Sequence, residues 1–183
     1  MTAIGKMSDT HQHHFYPLKI MDQQKRVLDL LEGIEKFPAR SERKCICTPR
    51  QKTKPMGFAL GSVFAMGQGQ LMASRYNTKY AELYEACCKM IEAHNPDFKW
   101  NCIQINKNQR CAPHKDTNNE GMSIIIGLGN YTGGWLVVND VPIKIKDKFV
   151  EFDGKQTHYT KPFRGTRYSI IFFTVKPRWL KKV

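Results

Sequence analysis

Residues 167–175, "RYSIIFFTV", and residues 122–129, "MSIIIGLG", are apolar runs of strand length, and their reading decides the fold. Isoleucine and phenylalanine fill them and turn residues bound them, as strands packed on a core require. Four similar runs follow Trp100: "NCIQIN" (101–106), "GGWLVVN" (133–139), "VPIKIK" (141–146) and "KFVEFD" (148–153). Tight turns are expected at Thr132-Gly133-Gly134 and at Asp153-Gly154. The C-terminal half therefore reads as many short strands, a jelly-roll pair of sheets.

The N-terminal half reads as helical. From Asp22, a suitable N-cap, "DQQKRVLDLLEGIEKF" places Val27, Leu31 and Ile34 at helical spacing. A second helix is expected in "NTKYAELYEACCKMIEAHNPD" (77–97), with Tyr80, Leu83, Tyr84, Cys87, Ile91 and His94 on one face and Asn95-Pro96 closing it. Helices ahead of strands make the fold class α+β, with the N-terminal helices packed on the sheet. Residues 1–16, polar and carrying His11, His13 and His14, read as a flexible tail, and 17–183 as a single domain. Residues 38–57 hold six Lys or Arg and three Pro and read as an extended basic loop with one short strand at most. In "GFALGSVFAMGQGQL" (57–71) the glycines match neither a phosphate-binding loop nor a dinucleotide fingerprint, and turns between strands are expected there.

Composition bounds the function. The chain has 183 residues, 41% of them apolar and 25% charged, with no apolar run of the ~18 residues a membrane span needs and no signal-peptide core, so an intracellular monomer is expected. Lys and Arg number 29 against 16 Asp and Glu, a formal charge of +13, and such a surface favours polyanions, nucleic acid first. The six cysteines, including the Cys45/Cys47 pair, contain no C-x-x-C, which disfavours a structural zinc site.

The chemistry lies in "CAPHKDTNN" (111–119). In an extended segment His114 and Asp116 point one way and Lys115 the other, so an imidazole and a carboxylate share a face. A third ligand comes from "FDGKQTHYTKPF", where His158 follows a turn. Two histidines and one carboxylate form the facial triad of non-haem Fe(II), with three positions open for a chelating cosubstrate and dioxygen. Nine residues on, Arg167 and Ser169 alternate onto one face of an apolar strand. A buried guanidinium needs an anionic partner, and its fork fits a carboxylate with the Ser169 hydroxyl adding a hydrogen bond. On "NCIQIN", Gln104 and Asn106 share a face and either line the cosubstrate pocket or face solvent from an edge strand.

These five residues, His114, Asp116, His158, Arg167 and Ser169, resemble in order and spacing the H-x-D … H … R-x-S signature of the Fe(II)- and 2-oxoglutarate-dependent dioxygenases. The resemblance covers residues 100–176. It implies a double-stranded β-helix of the cupin-like kind, Fe(II) on the first three residues, the distal carboxylate of 2-oxoglutarate on Arg167 and Ser169, and O2 as co-reactant. Within that family the chain is most similar to the TET/JBP group, which implies oxidation of the methyl of 5-methylcytosine or thymine in DNA. Asn119, three residues after Asp116, stands where those enzymes place a base-contacting Asn; as a plain turn residue it would cap its own backbone. Phosphate contacts are expected from Arg43, Lys44, Arg50, Lys52, Lys54 and Arg75. The alternatives are a protein or small-molecule hydroxylase with the same iron core, and an inactive jelly-roll that only binds nucleic acid.

Overall fold

The computed structural model describes residues 12–39, 56–64 and 70–176. Among these, α1 (Gln12–Glu32), α2 (Tyr76–Lys79) and α3 (Ala81–His94) precede most of the strands. The strands are β1 (Met56–Phe64), β2 (Leu71–Ala73), β3 (Cys102–Lys107), β4 (Asn119–Leu128), β5 (Tyr131–Gly133), β6 (Leu136–Val138), β7 (Val141–Ile143), β8 (Val150–Phe152), β9 (His158–Thr160), β10 (Phe163–Gly165) and β11 (Tyr168–Val175). They form a large antiparallel sheet in the order β2-β1-β3-β11-β4-β8, a small sheet β7-β6-β9 and the pair β10-β5. This is a mixed α and β architecture built around a jelly roll. No helix among the described residues is long and apolar enough to cross a membrane.

Period two explains the layers. Phe58, Leu60, Ile103, Ile105, Ile124, Ile126, Ile170 and Phe172 put one face of the large sheet into a core shared with Val27 and Leu31 of α1 and Leu83, Cys87, Met90 and Ile91 of α3. Val27 and Leu31 are fully buried, and each such side chain stabilises the docked helix by about 1.5–3 kcal/mol. The alternate residues, Gln104, Asn106, Ser169, Ile171 and Phe173, turn to the other face. There, with Leu136, His158 and Thr160 of the small sheet, they line a pocket.

Four expectations change. First, α1 begins at Gln12 rather than after Asp22, so residues 12–16, read as tail, continue the helix, while residues 1–11 lie outside the described residues. Once the Val27–Leu31 turn is docked, extension fixes one residue per hydrogen bond gained, and Asp22 is absorbed into the interior. Second, the glycines at 57 and 61 lie inside one nine-residue strand rather than in turns. Residues Met56–Gly61 pair with β3 and Ser62–Phe64 with β2, and Gly61, at φ +78°, is the pivot. Third, the second helix breaks at Tyr80 (φ −123°, ψ 47°). The break lets the Tyr76 and Tyr80 rings stack on each other and pack 5.1 and 4.8 Å from that of Phe58. Fourth, β3 is flanked by β1 and β11, so Gln104 and Asn106 do not sit on an edge strand. Of the basic loop, residues 40–55 lie outside the described residues, and its ends meet in an antiparallel bridge between Ala39 and Met56.

Candidate active site

His114 and His158 are antiparallel bridge partners. The His114 amide donates to the His158 carbonyl at 3.1 Å and the His158 amide donates back at 2.9 Å. Residues directly opposite in such a pair project their side chains to the same face, and the two rings stand 4.2 Å apart. Each Nδ1 meets a backbone carbonyl two residues upstream, Ala112 at 2.7 Å and Gln156 at 2.9 Å. A carbonyl only accepts, so Nδ1 carries the proton and both Nε2 lone pairs face the pocket, the tautomer a metal ligand needs.

Asp116 follows on the same face, with exposed Lys115 between, and its amide donates to the Gly154 carbonyl at 2.8 Å. Its Oδ2 lies 3.6 Å from His158 Nε2, too long for a hydrogen bond between them. One ligand atom from each of the three residues lies within 4.8 Å of the others. Two neutral imidazoles and one carboxylate suit a divalent first-row metal and would leave it open to further ligands.

Arg167 enters the same pocket just ahead of β11, 2% exposed, its amide anchored on Asn108 Oδ1 at 2.8 Å. Its guanidinium lies 5.7 Å from the Tyr131 ring and 5.5 Å from that of Phe163. Nε has no hydrogen-bond partner, and no carboxylate among the described residues pairs with the charge. Burial pulls its pKa below the ordinary arginine value, opposed by Tyr131 and Cys111 nearby. The Tyr131 hydroxyl is buried beside this guanidinium, and burial raises its pKa against the opposing pull of Arg167. Leaving a buried guanidinium without a counter-charge costs several kcal/mol, so Arg167, with its Nε unpaired, marks a position shaped for an anion.

Two glycines clear that position. A Cβ on Gly134 would come within 2.9 Å of Arg167 Cδ and Nε, and one on Gly127 within 2.2 Å of the Tyr131 hydroxyl. Beyond Arg167 runs a polar chain on the sheet. Asn106 Nδ2 donates to the Ser169 hydroxyl at 3.3 Å, leaving the hydroxyl proton to point elsewhere. Gln104 Nε2 donates to Asn106 Oδ1 at 3.0 Å and to the Phe58 carbonyl at 3.1 Å. Its amide protons are thus taken up inside the sheet, and Gln104 orients Asn106 rather than offering donors to a ligand.

Asn119 is 8% exposed at the start of β4, its side-chain amide donating to the Ser123 hydroxyl at 3.3 Å rather than capping its own backbone. It lines a second, more open groove that shares Asp116 with the pocket and is walled by Ser62, Val63 and Phe64 of β1. Arg75 is exposed, its guanidinium over the Tyr76 ring at 4.9 Å. Arg43, Lys44, Arg50, Lys52, Lys54, Cys45 and Cys47 lie outside the described residues. Sequence reasoning missed Tyr131, Gly127, Gly134 and Asn108. The adjacent glycines after Tyr131 in "YTGGW" were the available signal.

No protein-family model and no curated protein sequence matches the chain. The fold is similar to a crystal structure of an oxidoreductase of the 2OG-Fe(II) oxygenase family from Burkholderia pseudomallei, with a TM-score of 0.55 and 14% identity over 94% of this chain and 95% of that one. OsALKBH1 also aligns, with a TM-score of 0.47 and 12% identity over 86% of this chain and 94% of that one.

Proposed function

We propose that the chain is an Fe(II)- and 2-oxoglutarate-dependent dioxygenase that oxidises the methyl group of a methylated pyrimidine, 5-methylcytosine or thymine, in DNA. One observation carries the enzymatic part: a His-Asp-His set with both histidine tautomers fixed for ligation opens into the same pocket as a buried arginine that has no anion of its own. His114, Asp116 and His158 would hold the iron, and Arg167 with Ser169 and Tyr131 would take the distal carboxylate of 2-oxoglutarate. When bound, iron with 2-oxoglutarate supplies the oxidising power that inserts oxygen from O2 into a substrate C–H bond, with release of succinate and CO2. The protein's own part is to orient and to keep dry. Arg167 fixes one end of the cosubstrate, Asn106 turns the Ser169 hydroxyl, and Ile125, Leu136, Phe152 and Ile171 wall the space between arginine and triad against water.

The substrate part rests on the net charge of +13, on the resemblance to the TET/JBP group, and on the groove beside Asp116 where Asn119 stands. A duplex base must be flipped to reach such a site, at a few kcal/mol that phosphate contacts offset. Incubation with Fe(II), 2-oxoglutarate and a panel of methylated oligonucleotides, followed by nucleoside mass analysis, tests it. Oxidised methylpyrimidine is the expected product. Succinate formation stimulated by a peptide or a metabolite but by no oligonucleotide would leave the oxygenase standing and remove DNA as the substrate.

A further inference from the structure

The outer face of the small sheet carries a half-buried aromatic residue at its end. Leu136 and Thr160 turn inward, 4% and 7% exposed, so Trp135 and Lys161, one residue beyond them at the ends of β6 and β9, turn outward. The register Leu136↔Ile143 and Leu136↔Thr160 places Lys144, Trp135 and Lys161 in the next row across three strands, and the Lys161 amide donates to the Trp135 carbonyl at 2.9 Å. The two ammonium groups stand 5.2 and 5.8 Å from the centre of the indole ring. Among the described residues Trp135 belongs to no hydrophobic core cluster. Lys144 and Lys161 are exposed, and Trp135 is half-buried.

We propose that Trp135, Lys144 and Lys161 form a contact surface for single-stranded nucleic acid, the lysines meeting phosphates and the indole stacking on a base. This rests on the nucleic-acid part of the proposed function and adds a site outside the pocket. An exposed lysine on an aromatic face is held weakly, whereas base stacking on an aromatic side chain is the stronger interaction and is indifferent to sequence. A strand arriving at the row exchanges ammonium for base on the ring while each ammonium turns to a phosphate. The row lies on the back of the wall that holds His158 and Thr160, so it fastens flanking nucleotides and reads no target base.

The test uses oligothymidylate as the probe and the full chain. Binding should quench a part of the indole fluorescence that Trp135→Phe removes. Trp135→Ala should weaken binding about tenfold, and Trp135→Phe should keep most of the affinity. The pair Lys144→Gln with Lys161→Gln should flatten the log-log salt dependence by about 0.7 for each phosphate that the lysines no longer neutralise. In Trp135→Phe and in the lysine variants Tm and 2-oxoglutarate turnover without oligonucleotide should hold at the wild-type level. Wild-type binding that none of the substitutions changes would overturn this surface and leave the nucleic-acid reading intact. No binding of the wild type at low salt would overturn both. A Tm loss in Trp135→Ala with unchanged affinity would make the indole a cover for the sheet and nothing more.

Discussion

Single residues decide whether the pocket can hold an anion. Arg167→Lys replaces a planar fork by a point charge, and removal of one charge-assisted hydrogen bond at about 1.5–3 kcal/mol should raise the apparent KM for 2-oxoglutarate roughly 10- to 100-fold. Gly134→Ala is a sharper probe because it leaves the arginine in place. Its methyl would lie 2.9 Å from Arg167 Nε on a backbone at φ +65°, so the guanidinium must shift, and calorimetry should show weaker 2-oxoglutarate binding with metal affinity unchanged. Equal 2-oxoglutarate affinity in Gly134→Ala would move the anion position away from Arg167. Arg167 was legible because its charge adjoins an apolar strand, and His114, Asp116 and His158 because together they make a ligand set whose spacing a structural role does not require. Tyr131 was not, since a buried tyrosine in a strand reads as core until its hydroxyl is found beside the Arg167 guanidinium. Gln104 and Asn106 were half legible. Their common face followed from period two, but the direction of their amide hydrogen bonds depends on β1, whose pairing with β3 no local pattern signals.

At the scale of elements, the strands after Trp100 were readable because period two and apolar runs survive in isolation. β1 was not. Its glycines suggested turns, yet a Cβ on Gly57 would meet the Ile105 carbonyl at 2.5 Å, so here glycine permits two backbones to approach closely. Gly57→Ala therefore presses on backbone in the middle of the large sheet, where nothing can rotate away. A destabilisation of about 1–3 kcal/mol is expected, which for a chain of this size lowers Tm by about 2–12 °C. Thermal unfolding followed by circular dichroism checks it, and a Tm unchanged within a degree would contradict the pairing of β1 with β3. The same strain should reach the site, because the added methyl would also meet the Asn106 and Gln104 side chains at 3.0 and 3.2 Å. The second helix was legible as an element but not its break, since an unbroken apolar period runs through Tyr80 and only packing on Phe58 interrupts it.

For the whole molecule, the two sheets meet where the ligands do. Beyond the triad, His114 and Asp116 are tied to the rest of the site by backbone hydrogen bonds to His158 and Gly154, and the segment before them by one from Thr160 to the Cys111 carbonyl. A metal held by His114, Asp116 and His158 would cross-link segments more than forty residues apart in sequence, from 114–116 to 158. It would bind the folded chain and not the unfolded one, so its affinity must appear as stability. At a free concentration one hundred times Kd the gain is about 2.7 kcal/mol, equivalent to about 5–11 °C in Tm for a domain of this length. Mn(II), which accepts the same imidazole and carboxylate donors without turnover in the absence of 2-oxoglutarate, allows the measurement in air. The wild type should show the rise, and His158→Ala and Asp116→Ala should unfold cooperatively but lose most of it, because two remaining ligands hold a metal far more weakly than three. Lys115→Ala should keep it, since that side chain points away from the pocket. A wild-type Tm indifferent to saturating Mn(II) would show that the three side chains do not hold a metal, whatever their spacing, and the cosubstrate position at Arg167 would then have to be explained without one.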